Sequence, residues 1–127
     1  MDQELDDWHW WANLSWQDEP DIEGADPIDV NRAPEWRANL GVGQDLGRFF
    51  WDATVNYQGE AYWADVLFAR AATAGFTQLN ASLGWRLREE KLTVKLIGQN
   101  LTDDQLQQHI FGDIIDRKIA GQVSLSF

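Results

Sequence analysis

Cysteine is absent from the chain, which excludes a disulfide framework and any thiolate metal site. No stretch approaches the roughly 18 consecutive apolar residues that a membrane-crossing helix requires, so helical spanning is excluded too. Positive charge is scarce. Ten Lys+Arg stand against 21 Asp+Glu, a net charge of -11, the wrong sign for holding nucleic-acid phosphates, so no nucleic-acid partner is expected. The first seven residues have neither a basic nor an apolar block, and as written they carry no export signal. There is no nucleophile motif, no Gly-rich phosphate loop and no metal-ligand cluster. His9 and His109 lie far apart without an evident partner. The expectation is a protein that is not an enzyme and needs no cofactor.

What the chain does have is alternation. In its last stretch Ile119, Val123, Leu125 and Phe127 fall on one parity and Gln122, Ser124 and Ser126 on the other. Strand side chains point alternately to opposite faces, so this segment has one oily and one wet face. The pattern recurs. Over 8–17, Trp8, Trp10, Ala12, Leu14 and Trp16 oppose His9, Asn13, Ser15 and Gln17, with Trp11 an exception. Over 35–44, Trp36, Ala38, Leu40 and Val42 oppose Arg37, Asn39 and two glycines. Trp51, Ala53, Val55 and Tyr57 continue it over 49–59, where Phe50 is the exception. Leu79, Leu83, Trp85 and Leu87 follow over 77–88, then Leu92, Val94 and Leu96 over 91–100.

Six strands result, preceded by an acidic extension at 1–7. The links between them alternate in length: long at about 18–34, 60–75 and 101–115, and short elsewhere. An up-and-down antiparallel sheet joined this way collects its short turns at one end and its long loops at the other, as outer-membrane barrels do. Strands of about ten residues, tilted by about 45°, span on the order of 23 Å, close to the apolar band of such barrels. The fold expected is all-β, an antiparallel meander of about six strands forming part of a transmembrane β-barrel.

The eight tryptophans add to this. Trp8, Trp10, Trp51 and Trp85, with Phe127, fall near the short-turn rim, and Trp16, Trp36 and Tyr57 near the long-loop rim, all on the apolar parity. Aromatics at both edges of an oily band are the interfacial girdles of a membrane barrel. A soluble sandwich using the same residues as its core remains the structural alternative. Its functional counterpart is a soluble Trp-rich β domain that stacks its aromatics on carbohydrate.

From Ala33 onward the chain resembles the C-terminal strands of TonB-dependent outer-membrane receptors, importers of ferric siderophores, cobalamin, sugars and similar ligands. The residues concerned are Ala33-Pro34-Glu35-Trp36-Arg37-Ala38-Asn39-Leu40-Gly41-Val42, Val55-Asn56-Tyr57-Gln58-Gly59, Leu79-Asn80-Ala81-Ser82-Leu83-Gly84-Trp85-Arg86 and Asn100-Leu101-Thr102-Asp103. The last is similar to the Asn-Leu-Phe-Asp signature of the penultimate strand, with Thr102 in the aromatic's place. A glycine-containing loop and the terminal Phe127 complete the resemblance, and 8–17 would be the strand before.

The resemblance implies an outer-membrane location, a lipid-facing apolar side, and partners beyond these residues. Those partners are upstream barrel strands, a plug domain, the TonB complex reached through that plug, and the barrel-assembly machinery. Barrels of this class have about 22 strands around a plugged lumen, so the expectation is a fragment of a longer reading frame. Gly121, Val123, Leu125 and Phe127 resemble the terminal signal read by the assembly machinery. Arg37, Arg86, Arg88 and Lys95 are expected on the lumen side, facing the plug or neighbouring carboxylates.

Three loop expectations complete the reading. Asp21, Glu23, Asp26 and Asp29 belong to a solvated acidic loop. Tyr62, Trp63 and Phe68 pack against neighbouring loops or stack on an arriving ligand. Thr102 to Gln105 has capping-box form, with Leu101 and Leu106 at the staple positions and Gly112 as a stop, which predicts a short helical turn.

Overall fold

The computed structural model of the chain describes residues 2–5 as backbone, and residues 7–18, 23–24, 26, 30–64, 70–87 and 91–126 in full. The strands in chain order are β1 (Asp2–Leu5), β2 (Trp8–Trp16), β3 (Trp36–Asp45), β4 (Phe49–Gln58), β5 (Ala61–Ala64), β6 (Arg70–Thr73), β7 (Phe76–Leu87), β8 (Leu92–Gln99) and β9 (Lys118–Leu125). Seven of them form one sheet in the order β1-β2-β3-β4-β7-β8-β9, every neighbour antiparallel; β5 and β6 pair separately. The sheet is the expected up-and-down meander.

Two parts of the sequence reading are extended. Asp2–Leu5 pairs with Trp8 to Trp11, so the acidic extension contributes a strand. The second long link carries the β5–β6 hairpin. One expectation is overturned: no helix occurs among the described residues. Asp103 sits at φ 58, outside the helical region. The Thr102 hydroxyl donates to the Thr77 carbonyl across the sheet at 2.7 Å, where a cap would have bonded within its own turn.

Register fixes the faces. Ala12, Leu40, Val55 and Leu79 lie side by side across four strands as one apolar row. The next row is Asn13, Asn39, Asn56 and Gln78, and it projects from the opposite face. Directly opposed residues share a face, so this alternation persists across the sheet and a slip of one residue would invert it.

The apolar face is uncovered. Leu14 is 67% exposed, Ile119 68% and Val123 66%. Among the described residues the buried apolar side chains are Ala61, Phe76 and Leu106, all at the long-loop end. The enclosed core therefore lies at the loop end, with Phe76 the sheet's contribution to it, and the large side chains of the apolar face such as Leu14, Ile119 and Val123 stand open. A soluble sandwich would seal those same residues between two sheets.

Candidate functional site

The aromatics gather at the two rims. At the long-loop end Trp16 and Trp36 are directly paired, rings 6.3 Å apart, with Tyr57 on the same face. At the short-turn end Phe49 meets Trp85 at 5.3 Å, and Trp8 meets Trp51 edge-on at 5.6 Å across Gln44 of the strand between them. Trp10 lies on this face as well, opposite Val42. In β9, Gly121, Val123 and Leu125 share it, opposite Leu96, Val94 and Leu92. Phe127 and Arg88 lie outside the described residues.

Arg37, Arg86 and Lys95 project from the polar face of the sheet. Arg86 makes a two-pronged bond to Asp45 at 2.7 and 2.8 Å and donates to the Gly47 carbonyl. Its guanidinium also lies 4.4 Å from the centre of the Phe50 ring. Lys95 reaches Asp52 at 3.6 Å and stands 5.9 Å from the same ring. Asp45 and Asp52 were not singled out in the sequence. Their polar parity was visible, but only the register shows that they face these cations.

Register also explains the aromatics on the wet face. Trp11 is paired with Gly41, and Phe50 with Gly84. A methyl group at Gly41 would collide with the Trp11 indole, and one at Gly84 with the Phe50 ring. Each aromatic lies flat across a neighbouring glycine, a cross-strand pairing that fills the space a missing side chain leaves. Gly84→Val should displace Phe50 and its cationic neighbours and cost about 1–3 kcal/mol. Gly121→Val is the control, because nothing lies within 4 Å of a Cβ added there. Its denaturation midpoint should match or exceed that of the unaltered protein.

The Asn-Leu-Thr-Asp motif is a folded knot. Asn100 is completely buried, at φ 50. Its side-chain amide donates to the carbonyls of Asp104 at 2.8 Å and Ile115 at 3.0 Å, while its backbone N–H donates to Asn80 Oδ1. Leu101 lies on Gly98. Asp103 pairs with Arg117 at 3.2 Å, and the Asp104 carboxylate accepts the Thr77 N–H at 2.9 Å. One buried amide thus holds both ends of the third long loop against β7.

The long loops also hold one another. Arg32 and Tyr62 exchange backbone hydrogen bonds at 2.8 and 2.9 Å, with the Arg32 guanidinium 4.7 Å from the tyrosine ring. Trp63 meets His109 of the third loop at 4.4 Å. Packing between loops is thus what Tyr62 and Trp63 do; Phe68, Asp21 and Asp29 lie outside the described residues, and Glu23 and Asp26 are exposed. Where these loops meet the ends of β3 and β4 there is a cavity of about 450 Å³, lined by Asn31, Arg32, Ala33, Pro34, Arg37, Gln58, Ala61, Trp63 and Gln108.

A family model described as "TonB dependent receptor-like, beta-barrel" matches residues 3–101. The match begins within β1 and takes in β2, upstream of the motifs that start at Ala33, and ends at Leu101, before the third loop and β9. No curated protein and no solved structure matches the chain.

Proposed function

The chain belongs to the TonB dependent receptor-like β-barrel family, and on that premise we propose that it forms part of the wall of a plugged outer-membrane channel for energy-coupled uptake of a ligand such as a ferric siderophore. The apolar face meets acyl chains. The rim aromatics Trp8, Trp10, Trp16, Trp36, Trp51, Tyr57 and Trp85 lie at headgroup depth. Arg37, Arg86, Arg88 and Lys95 look into the lumen, toward the plug that the TonB complex engages. Gly121, Val123, Leu125 and Phe127 are the segment offered to the assembly machinery, by strand addition at the β9 edge. Asn100, Leu101 and Asp103 fix the loop leading into that strand.

The observation that carries this role is the uncovered apolar face, bounded by aromatics at both ends and backed by a continuous polar face. In the described sheet β1 and β9 are the edges. Unpaired edge groups in hydrocarbon cost several kcal/mol each, so this sheet needs further strands, or further copies, beside it. A water-soluble sugar-binding domain has no use for an exposed leucine and valine row.

Fractionation of the cells that make the protein tests the proposal. It should travel with the outer membrane, resist carbonate extraction and need detergent to dissolve. Recovery as a monomer from the detergent-free soluble fraction would rule out the barrel.

A further inference from the structure

The loop cavity differs from the rest of this acidic chain in its charge. Two arginines and three carboxamide residues line it, and no described carboxylate does. Two carboxylates at this end, Glu35 and Glu60, line an adjoining groove of about 290 Å³ beside Trp36 and Tyr57, which shares Arg32 and Ala33 with the cavity. On the same face Arg86 is matched by Asp45 and Lys95 by Asp52, while Lys118, opposite Gln99 in β8, lies well away from this cavity. Arg37 has no acidic partner among the described residues, and the side chains of Gln58 and Gln108 have no hydrogen-bond partner among them either. A guanidinium and two amides without an acceptor among the described residues thus line one cavity, where a ligand can take the place of water as their acceptor.

We infer that this cavity binds an oxyanion group, carboxylate or phosphate, of a small ligand, with Arg37 as its principal charge partner. This rests on the receptor role proposed above and specifies the chemistry of what the mouth receives. A planar guanidinium holds two oxygens of such a group side by side, and the amides supply further N–H donors. The volume lies within the range of small-molecule sites. Trp63 forms a wall already fixed by His109 at 4.4 Å and by Thr73, whose hydroxyl its indole N–H reaches at 3.4 Å. Little ordering is then required when a ligand enters.

Calorimetric titration of the detergent-solubilised protein with citrate, inorganic phosphate and the neutral triethyl ester of citrate tests this. At least one of the two anions should bind saturably, more weakly as salt is raised, and the ester should not. Arg37→Gln should weaken that binding about tenfold or more, about 1.4 kcal/mol. Gln108→Leu, at an exposed loop position, should weaken it less, and Lys91→Gln at the far rim should leave it unchanged. Far-UV circular dichroism establishes that each variant keeps its strands. Equal binding by Arg37→Gln, equal binding of the ester, or no binding of either anion would overturn the inference. An outer-membrane protein that ignores both anions refutes this inference alone, whereas a soluble monomer that binds them refutes the barrel alone.

Discussion

Leu40→Arg should destabilise the protein in phospholipid vesicles by about 2–4 kcal/mol, the cost of a cation on the lipid side near mid-membrane. Leu40 is the fifth of ten residues in β3, half exposed, between Ala12 and Val55 on the apolar face. Its chain neighbour Asn39 points the other way and donates to Asn13 at 2.8 Å. Asn39→Arg loses that bond, worth about 1 kcal/mol, and places its charge in water. Its cost should stay near that figure. Denaturant titration of the pair measures the difference directly, and two similar costs would mean that the faces do not meet different solvents.

Asn100→Ala should be the most damaging substitution on the polar side, at about 3–5 kcal/mol. The carbonyls of Asp104 and Ile115, in part-buried hydrogen bonds, lose their donor, at about 1–3 kcal/mol each. A left-handed backbone at φ 50 adds roughly 1 kcal/mol for a residue with a Cβ and no local hydrogen bond. Asn100→Gly escapes that last cost and should be measurably milder than alanine. Asn100→Asp should be as harmful as alanine, because a carboxylate cannot donate to the carbonyls. Denaturation midpoints rank the three. Hydrogen exchange at the Ile115 amide, which is bonded to the Leu106 carbonyl at 3.1 Å, reports whether the loop has opened.

Much of this sheet was legible in the sequence because period-two alternation is a local property. Each strand declares its faces without reference to its neighbours, and alternating link lengths give the order. What depends on register was not legible. Trp11 and Phe50 look like errors in the pattern until Gly41 and Gly84 are found opposite them. Asp45 looks like a turn residue until Arg86 closes on it.

Two local signals failed for separate reasons. Asp2–Leu5 has a single apolar residue among acids and glutamine, so it shows no face of its own and is a strand through its pairing with β2. The capping-box pattern at Thr102 to Gln105 was overridden by tertiary bonds from Thr102 and Asp104 to Thr77. The candidate site was visible only as a parity for Arg37 and as one aromatic, Trp63, open to loop packing or ligand stacking. Its companions Asn31, Trp63 and Gln108 come from three different loops, and no periodicity links them.

The absence of cysteine makes one experiment unusually clean: a nitroxide scan of single cysteines along β4 in vesicles, read by collision with oxygen and with a water-soluble nickel chelate. Labels at 51, 53, 55 and 57 should collide with oxygen, and labels at 52, 54, 56 and 58 with nickel, alternating at every step. Odd positions shielded from both reagents would mean that Trp51, Ala53, Val55 and Tyr57 pack inside protein, and the membrane-wall account would fail.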